Sequence, residues 1–89
     1  MIKFTYQIKD PNGMHARPAG KLATYTKQFC EEIRVSANGK EADAKRLLAL
    51  MSLGATAETE LTFTVSGDNE EDTARQLQEY LEHDYGDNA

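Results

Sequence analysis

The order of hydrophobic patterns along this chain predicts an α+β fold. The expected architecture is an open-faced β-sandwich: one four-stranded antiparallel sheet covered on one face by three helices, in the order β-α-β-β-α-β-α. Three observations carry the expectation. Apolar residues alternate with polar ones at 2–8 and 61–66, and more briefly at 33–35. Helical spacing fills the stretches between them. An Asn-Gly pair at 38–39 marks a tight hairpin between two short strands.

Ile2, Phe4, Tyr6 and Ile8 alternate with Lys3, Thr5, Gln7 and Lys9, the period of a half-buried strand. The Asp-Pro-Asn-Gly run at 10–13 is a turn. From Ala16 to Phe29 the period changes: Ala19, Leu22, Ala23, Thr26 and Phe29 or Cys30 recur at i, i+3, i+4. Ile33 and Val35 begin a second strand, and after the hairpin a short third strand follows near 40–43. A compact helix is expected from Ala44 to Leu53, with Asp43 as N-cap and Gly54 just past its end. Leu61, Phe63 and Val65 alternate with Thr62, Thr64 and Ser66 as a fourth strand. In the last helix Asp68 is the expected cap, Glu71 sits three residues on, acids fill the first turn, and Ala74, Leu77 and Leu81 form the buried stripe beside Tyr80. Residues 83–89 read as a fraying tail.

A chain of 89 residues holds one modest core, so a single domain over 1–89 is expected. No run approaches the roughly 20 apolar residues that span a bilayer, so no membrane insertion is expected. No apolar stretch follows the first basic residue in the manner of a secretory signal. Cys30 is the one cysteine and has no disulfide partner in the chain. Together these point to a reducing, cytoplasmic setting. The net charge of −5 argues against a nucleic-acid binder, which needs a basic footprint. The charge is uneven: residues 1–50 carry nine Lys/Arg and five Asp/Glu, whereas residues 51–89 carry one Arg and ten Asp/Glu. If Arg17, Lys21, Lys27, Lys45 and Arg46 meet in space, they form a positive face suited to an acidic protein or a phosphate; otherwise they are ordinary solvated cations.

The stretch Gly-Met-His-Ala-Arg-Pro-Ala-Gly at 13–20 is the chemically informative one. Proline is tolerated in a first helical turn; if Ala16 is the first helical residue, Pro18 is third and His15 is the N-cap. The amides of Ala16 and Arg17 then lie at the positive end of the helix dipole, a ready anion site. Arg17 adds a guanidinium that can hold phosphate oxygens in pairs. Neutral imidazole is a nucleophile, so His15 is placed to carry a phosphoryl group. A histidine at a helix start is also an ordinary cap or surface residue, and the residues themselves leave both readings open. No metal site competes: His83 is the other histidine and Cys30 stands alone. No cofactor is implied, for no Gly-rich nucleotide loop or Ser-His-Asp set is present.

Two further features stand out. Gly20 lies inside a helix, where it costs about 1 kcal/mol relative to alanine; either a partner approaches there, or a neighbouring strand packs tightly, or the helix simply tolerates it. Leu47, Leu48, Leu50, Met51 and Leu53 exceed what one buried stripe on a short helix needs. If Leu50 and Leu53 face the core, Leu47, Leu48 and Met51 form a separate apolar patch beside Lys45 and Arg46, a docking surface. The alternative is a helix buried on both sides.

With its Gly-Met-His-Ala-Arg-Pro-Ala-Gly, Asn-Gly-Lys and Leu-Met-Ser-Leu-Gly-Ala stretches, the chain resembles the histidine-containing phosphocarrier protein (HPr) family of the bacterial phosphoenolpyruvate-dependent sugar phosphotransferase system. The resemblance covers nearly the whole chain. It implies a stoichiometric phosphoryl carrier rather than an enzyme with turnover. By that resemblance His15 accepts a phosphoryl group on Nδ1 from phosphorylated enzyme I and passes it to a IIA component of a sugar permease. Arg17 and the amides of Ala16 and Arg17 would steady the phosphate. Gly20, Leu47, Leu48 and Met51 would dock partners, with Lys27 and Arg46 at the rim. A carrier that alternates between two partners is expected to be a monomer. One departure is clear. Where many family members carry a regulatory serine after a lysine, this chain has Lys45-Arg46, so a permanent positive charge replaces a phosphorylatable hydroxyl. Gly20 also replaces a bulkier residue common in the family, which bears on partner preference. The alternative function is a regulatory protein on the same fold that binds partners according to its phosphorylation state.

Overall fold

The structure is a computed structural model in which residues 1–9 and 11–83 are described. Its elements are β1 (Ile2–Gln7), α1 (Ala16–Thr26), β2 (Glu32–Ala37), β3 (Lys40–Asp43), α2 (Leu47–Met51), β4 (Glu60–Ser66) and α3 (Glu70–His83). The strands form one antiparallel sheet in the order β1-β4-β2-β3. This is the expected β-α-β-β-α-β-α open-faced sandwich.

Period two in the strands becomes one buried face. Ile33 and Val35 of β2 and Leu61, Phe63 and Val65 of β4 are fully buried, and Ile8, Leu22, Leu50, Leu53, Leu77 and Leu81 pack against them. The register sets Phe4 opposite Phe63, and their rings stack with centroids 5.2 Å apart. Removing Phe63, at the centre of this layer, would cost about 3–5 kcal/mol. The hairpin between β2 and β3 turns on Asn38 and Gly39, at φ 55° and 77°, as a turn with two positive φ angles requires.

The helix boundaries differ from expectation at the end of α1, at both ends of α2 and at both ends of α3. Helix α1 stops at Thr26 rather than Phe29. The buried Thr26 hydroxyl reaches the carbonyls of Leu22 (3.0 Å), Ala23 (3.1 Å) and Ala44 (2.9 Å), after which Gln28 and Phe29 make turn bonds to Tyr25 and Thr26. Phe29 still packs against the core although it is not helical, and Cys30 is exposed. Helix α2 runs from Leu47, with Arg46 as N-cap, to Met51, with Ser52 as C-cap, rather than from Ala44 behind Asp43 to Leu53. The Ala44 N–H is taken by the Ile33 carbonyl at 2.9 Å, and Asp43 Oδ1 accepts from the Lys45 N–H at 2.9 Å, closing a turn ahead of the helix. Gly54, at φ 67°, leads the chain out of α2.

At the start of α3 the first helical bond runs from Thr73 N–H to the Asn69 carbonyl, so Asp68 is not the cap. Glu31 supplies the anchor instead: Oε2 accepts from Asn69 N–H at 3.0 Å and Oε1 from the Thr73 hydroxyl at 2.9 Å. Glu70, rather than Glu71, reaches back, accepting from Gly67 N–H at 3.1 Å. Ala74, Leu77 and Leu81 form the buried stripe, joined by Thr73. His83 is helical, so the expected tail begins after it; residues 84–89 lie outside the described part of the chain.

Candidate functional site

His15 is the N-cap of α1, with extended backbone (φ −99°, ψ −176°), and its side chain makes no capping hydrogen bond. The first helical bond runs from Ala19 N–H to the His15 carbonyl at 3.0 Å. Ahead of it, His15 N–H donates to the Gly13 carbonyl at 3.0 Å. Pro18, third in the helix, has no N–H. The first-turn donors that this helix start presents are therefore the amides of Ala16 and Arg17, which precede any carbonyl of their own helix. Both residues are exposed, His15 is half-buried, and Pro18 and Ala19 are buried. No acidic residue stands in the first turn of α1, so that turn itself supplies no carboxylate to the positive end of its dipole. An anion with several acceptor oxygens is the chemical complement of this arrangement.

Gly20 lies one turn further on. A Cβ there would meet no atom within 4 Å, so the packing alternative is excluded and the helix surface at Gly20 is open. Lys27 is the C-cap of α1 and Arg46 the N-cap of α2, both exposed. Helix α2 divides its apolar residues as expected. Leu50 is 0% exposed and Leu53, just beyond it, 1%, whereas Leu47, Leu48 and Met51 are 38%, 79% and 39% exposed. Helices α1 and α2 pack against each other. Between them Lys27, Lys45, Arg46, Leu47, Leu48 and Ala49 line an open groove of about 520 Å³. The structure thus brings Lys27 and Arg46 together with the apolar patch. It adds Lys45, whose Nζ donates to the Phe29 carbonyl at 2.6 Å, and Ala49.

Sequence reasoning missed the support beneath His15. Gly13 is buried at φ 71°, pressed on the backbone of Ala55 and Thr56, and Met14 N–H donates to the Ala55 carbonyl at 3.0 Å. The glycine in the turn at 10–13 was the available signal, but nothing local named its neighbour. Among the described residues no group of three or more His, Cys, Asp or Glu could hold a metal ion, and no helix is long and apolar enough to cross a membrane.

The family model described as "PTS HPr component phosphorylation site" matches residues 2–83. The phosphocarrier protein HPr of Buchnera aphidicola subsp. Baizongia pistaciae is 36% identical over 81 residues, covering 91% of this chain and 95% of that protein. Among solved structures, HPr-C-His from Thermoanaerobacter tengcongensis superimposes with a TM-score of 0.88 at 31% identity, covering 98% of both chains. The catabolite repression containing protein Crh of Bacillus subtilis, whose crystal structure is described as a dimer with a swapping domain, gives a TM-score of 0.69 at 28% identity over 92% of this chain and 94% of that one.

Proposed function

The chain belongs to the HPr family of the phosphotransferase system, and from that premise we propose that it is a phosphoryl carrier acting through His15 as a single domain. The Nδ1 lone pair of the neutral imidazole attacks the phosphorus of the phosphohistidine on enzyme I. The new N–P bond forms as the old one breaks, and the bonding pair leaves with the donor imidazole. The same exchange in reverse direction delivers the group to a IIA component. No net oxidation or hydrolysis occurs, so the protein is consumed and regenerated as a reactant. Phosphoryl transfer asks mainly for alignment and charge stabilisation. The Ala16 and Arg17 amides, the dipole of α1 and the Arg17 guanidinium supply the second.

One observation carries this reading. His15 occupies the N-cap position of α1 without spending its side chain on a capping hydrogen bond, and the first-turn amides of Ala16 and Arg17 and the Arg17 side chain follow it directly in the chain. Docking falls to Leu47, Leu48 and Met51 with Gly20, rimmed by Lys27 and Arg46. Because Arg46 is a fixed cation at that rim, an acidic partner surface is preferred and docking weakens with salt. Arg46→Ser should lower the transfer rate at low ionic strength and flatten its salt dependence; an unchanged rate and slope would remove Arg46 from the docking surface.

The primary test is incubation with enzyme I and phosphoenolpyruvate, read by native mass spectrometry beside His15→Ala. The expected product carries one phosphoryl group that is acid-labile, alkali-stable and absent from the variant. No transfer from an enzyme I that is active on another carrier would refute the proposal. A second reading, a regulatory binding protein, draws on the similarity to Crh. Pull-downs with and without His15 phosphorylation separate the two. The working unit of the carrier reading is a monomer, since two partners must reach His15 in turn; sedimentation at micromolar concentration tests it against a dimer of the kind described for Crh.

A further inference from the structure

The loop ahead of His15 is held by contacts that the phosphoryl chemistry by itself does not require. Gly13 is buried with φ 71°, and a Cβ built on it would lie 2.6 Å from the Ala55 carbonyl oxygen and 2.7 Å from Thr56 Cα. Both are backbone atoms, so no side-chain rotation could make room. Next to it, Met14 N–H donates to that same Ala55 carbonyl at 3.0 Å, and the Met14 side chain is buried. His15 is therefore fixed from two directions, by helix α1 behind it and by the 55–56 backbone in front.

The 53–56 segment also belongs to the far side of the site. Gly54 leads it directly out of α2, and the Asn38 side-chain amide donates to the carbonyls of Leu53 and Gly54, at 3.2 Å each. One short piece of backbone thus joins the helix that exposes Leu47, Leu48 and Met51 to the loop that carries the histidine.

We infer that Gly13 is a positioning residue for phosphoryl transfer: by lacking a side chain it lets the His15 loop seat on the Ala55–Thr56 backbone, which sets the imidazole at a fixed place relative to α2. The inference rests on the carrier reading. A partner that docks on α2 while reacting at His15 needs the distance between the two to be constant, and slack between them appears in the chemical step. A Cβ at position 13 forces the loop back by about an ångström to regain ordinary contact. A displacement of that size can cost about a hundredfold in rate.

Gly13→Asn tests this against Gly39→Asn. Asparagine tolerates positive φ better than most residues, and the two glycines share a similar φ, but a Cβ at Gly39, in the β2–β3 hairpin, meets nothing within 4 Å. Gly13→Asn should lower kcat for transfer from phosphorylated enzyme I by about ten- to a hundredfold, leave KM within about twofold, and strip hydrogen-exchange protection from the Met14 amide. Gly39→Asn should leave all three in place. A folded Gly13→Asn with the original kcat, or with a loss confined to KM, overturns the inference. If Gly13→Asn does not fold, an amide-to-ester replacement at Met14 removes the donor to Ala55 without adding bulk. The same fall in kcat is expected there, and an unchanged kcat overturns the inference. A failure of the carrier reading looks different: the unaltered chain takes no phosphoryl group, yet its Met14 amide remains protected.

Discussion

Helix α1 begins with Ala16, Arg17 and Pro18 behind a histidine, and helix α3 begins with Glu70, Glu71 and Asp72 behind Asn69. Both starts present the positive end of a dipole, and the chain treats them oppositely. At α3 three acids stand in the first turn, and a fourth, Glu31, arrives from just ahead of β2 to accept from Asn69 N–H and the Thr73 hydroxyl. Glu70 additionally pairs with the amino group of Met1. That start is electrostatically complete. At α1 no acid stands in the first turn, and the one charged residue there is a cation. A first turn without an acid forgoes a few tenths of a kcal/mol to about 1 kcal/mol of dipole stabilisation. Stability alone would favour an acid at position 16. Its absence makes sense if the missing anion is one that comes and goes.

If α1 is kept open for an anion, the largest effects come from removing what faces that anion. His15→Ala should abolish phosphoryl acceptance while leaving the helix start folded, because the side chain makes no capping hydrogen bond. Arg17→Ala should retain acceptance but slow it about ten- to a hundredfold, the loss of one or two charge-assisted hydrogen bonds. Both are read by stopped-flow transfer and thermal melting. If Arg17→Ala instead lowered the melting temperature and left the rate alone, the cation at α1 would be structural and the contrast with α3 would collapse.

The α3 side of the contrast is tested by acid. The Thr73 hydroxyl, opposed by burial and aided by Asn69 N–H and the Lys45 charge, holds the Glu31 carboxyl below the usual carboxylate range. Glu70, through the Met1 ammonium and then Gly67 N–H, and Asp72, through Arg75 and then Gln76, are lowered as well. Carboxyls lowered by folding contribute stability that is fully present above their unfolded values and is lost as pH falls through the folded ones. The protein should therefore be stable from neutrality down to the carboxylate range and weaken below it. Thr73→Val keeps the shape but deletes the first of these donors. The loss of stability should be largest near pH 7 and shrink as pH falls through the carboxylate range, with the acid-unfolding midpoint moved to higher pH. An unmoved midpoint in a circular-dichroism titration would mean that Glu31 does not secure this helix start.

The two helix starts also differ in how much of them can be read from sequence. The α1 site is local: His15, Arg17 and Pro18 lie within four residues, and their spacing alone defines an N-cap, two donors and a cation. The strands and the Asn38-Gly39 hairpin are local in the same sense, set by period two and by a pair of residues that accept positive φ. The anchor of α3 is not local. Asp68 has the chemistry of a cap, but Glu31 comes from the bend just ahead of β2 and takes the role. Helix α2 starts late for the same reason, since Ala44 gives its N–H to Ile33 and its carbonyl to Thr26. The seat of Gly13 on Ala55 and Thr56 is a third case. Composition and periodicity describe how a segment treats itself, and each of these features is a hydrogen bond or close contact between segments that periodicity does not align.

The smallest effect is the most direct comparison, because it gives α1 what α3 already has. Ala16 is exposed at the first position of α1, so Ala16→Glu adds a carboxylate to the dipole end without burying anything. Stability should rise by about 0.3–1 kcal/mol, a gain of roughly 2–6 °C in melting temperature for a domain of this size. The same carboxylate stands where the incoming phosphoryl oxygens need donors. Repulsion between charges a few ångströms apart near a protein surface is worth about 1–4 kcal/mol, so transfer to His15 should slow at least about fivefold and recover in part at high salt. The two changes must appear in the same variant for the contrast to hold. A more stable protein with unaltered transfer would mean that the open end of α1 does not serve the phosphate. A slower protein with no gain in stability would mean that Arg17 already satisfies that end through neighbours of its own, and that α1 gives up nothing to remain available.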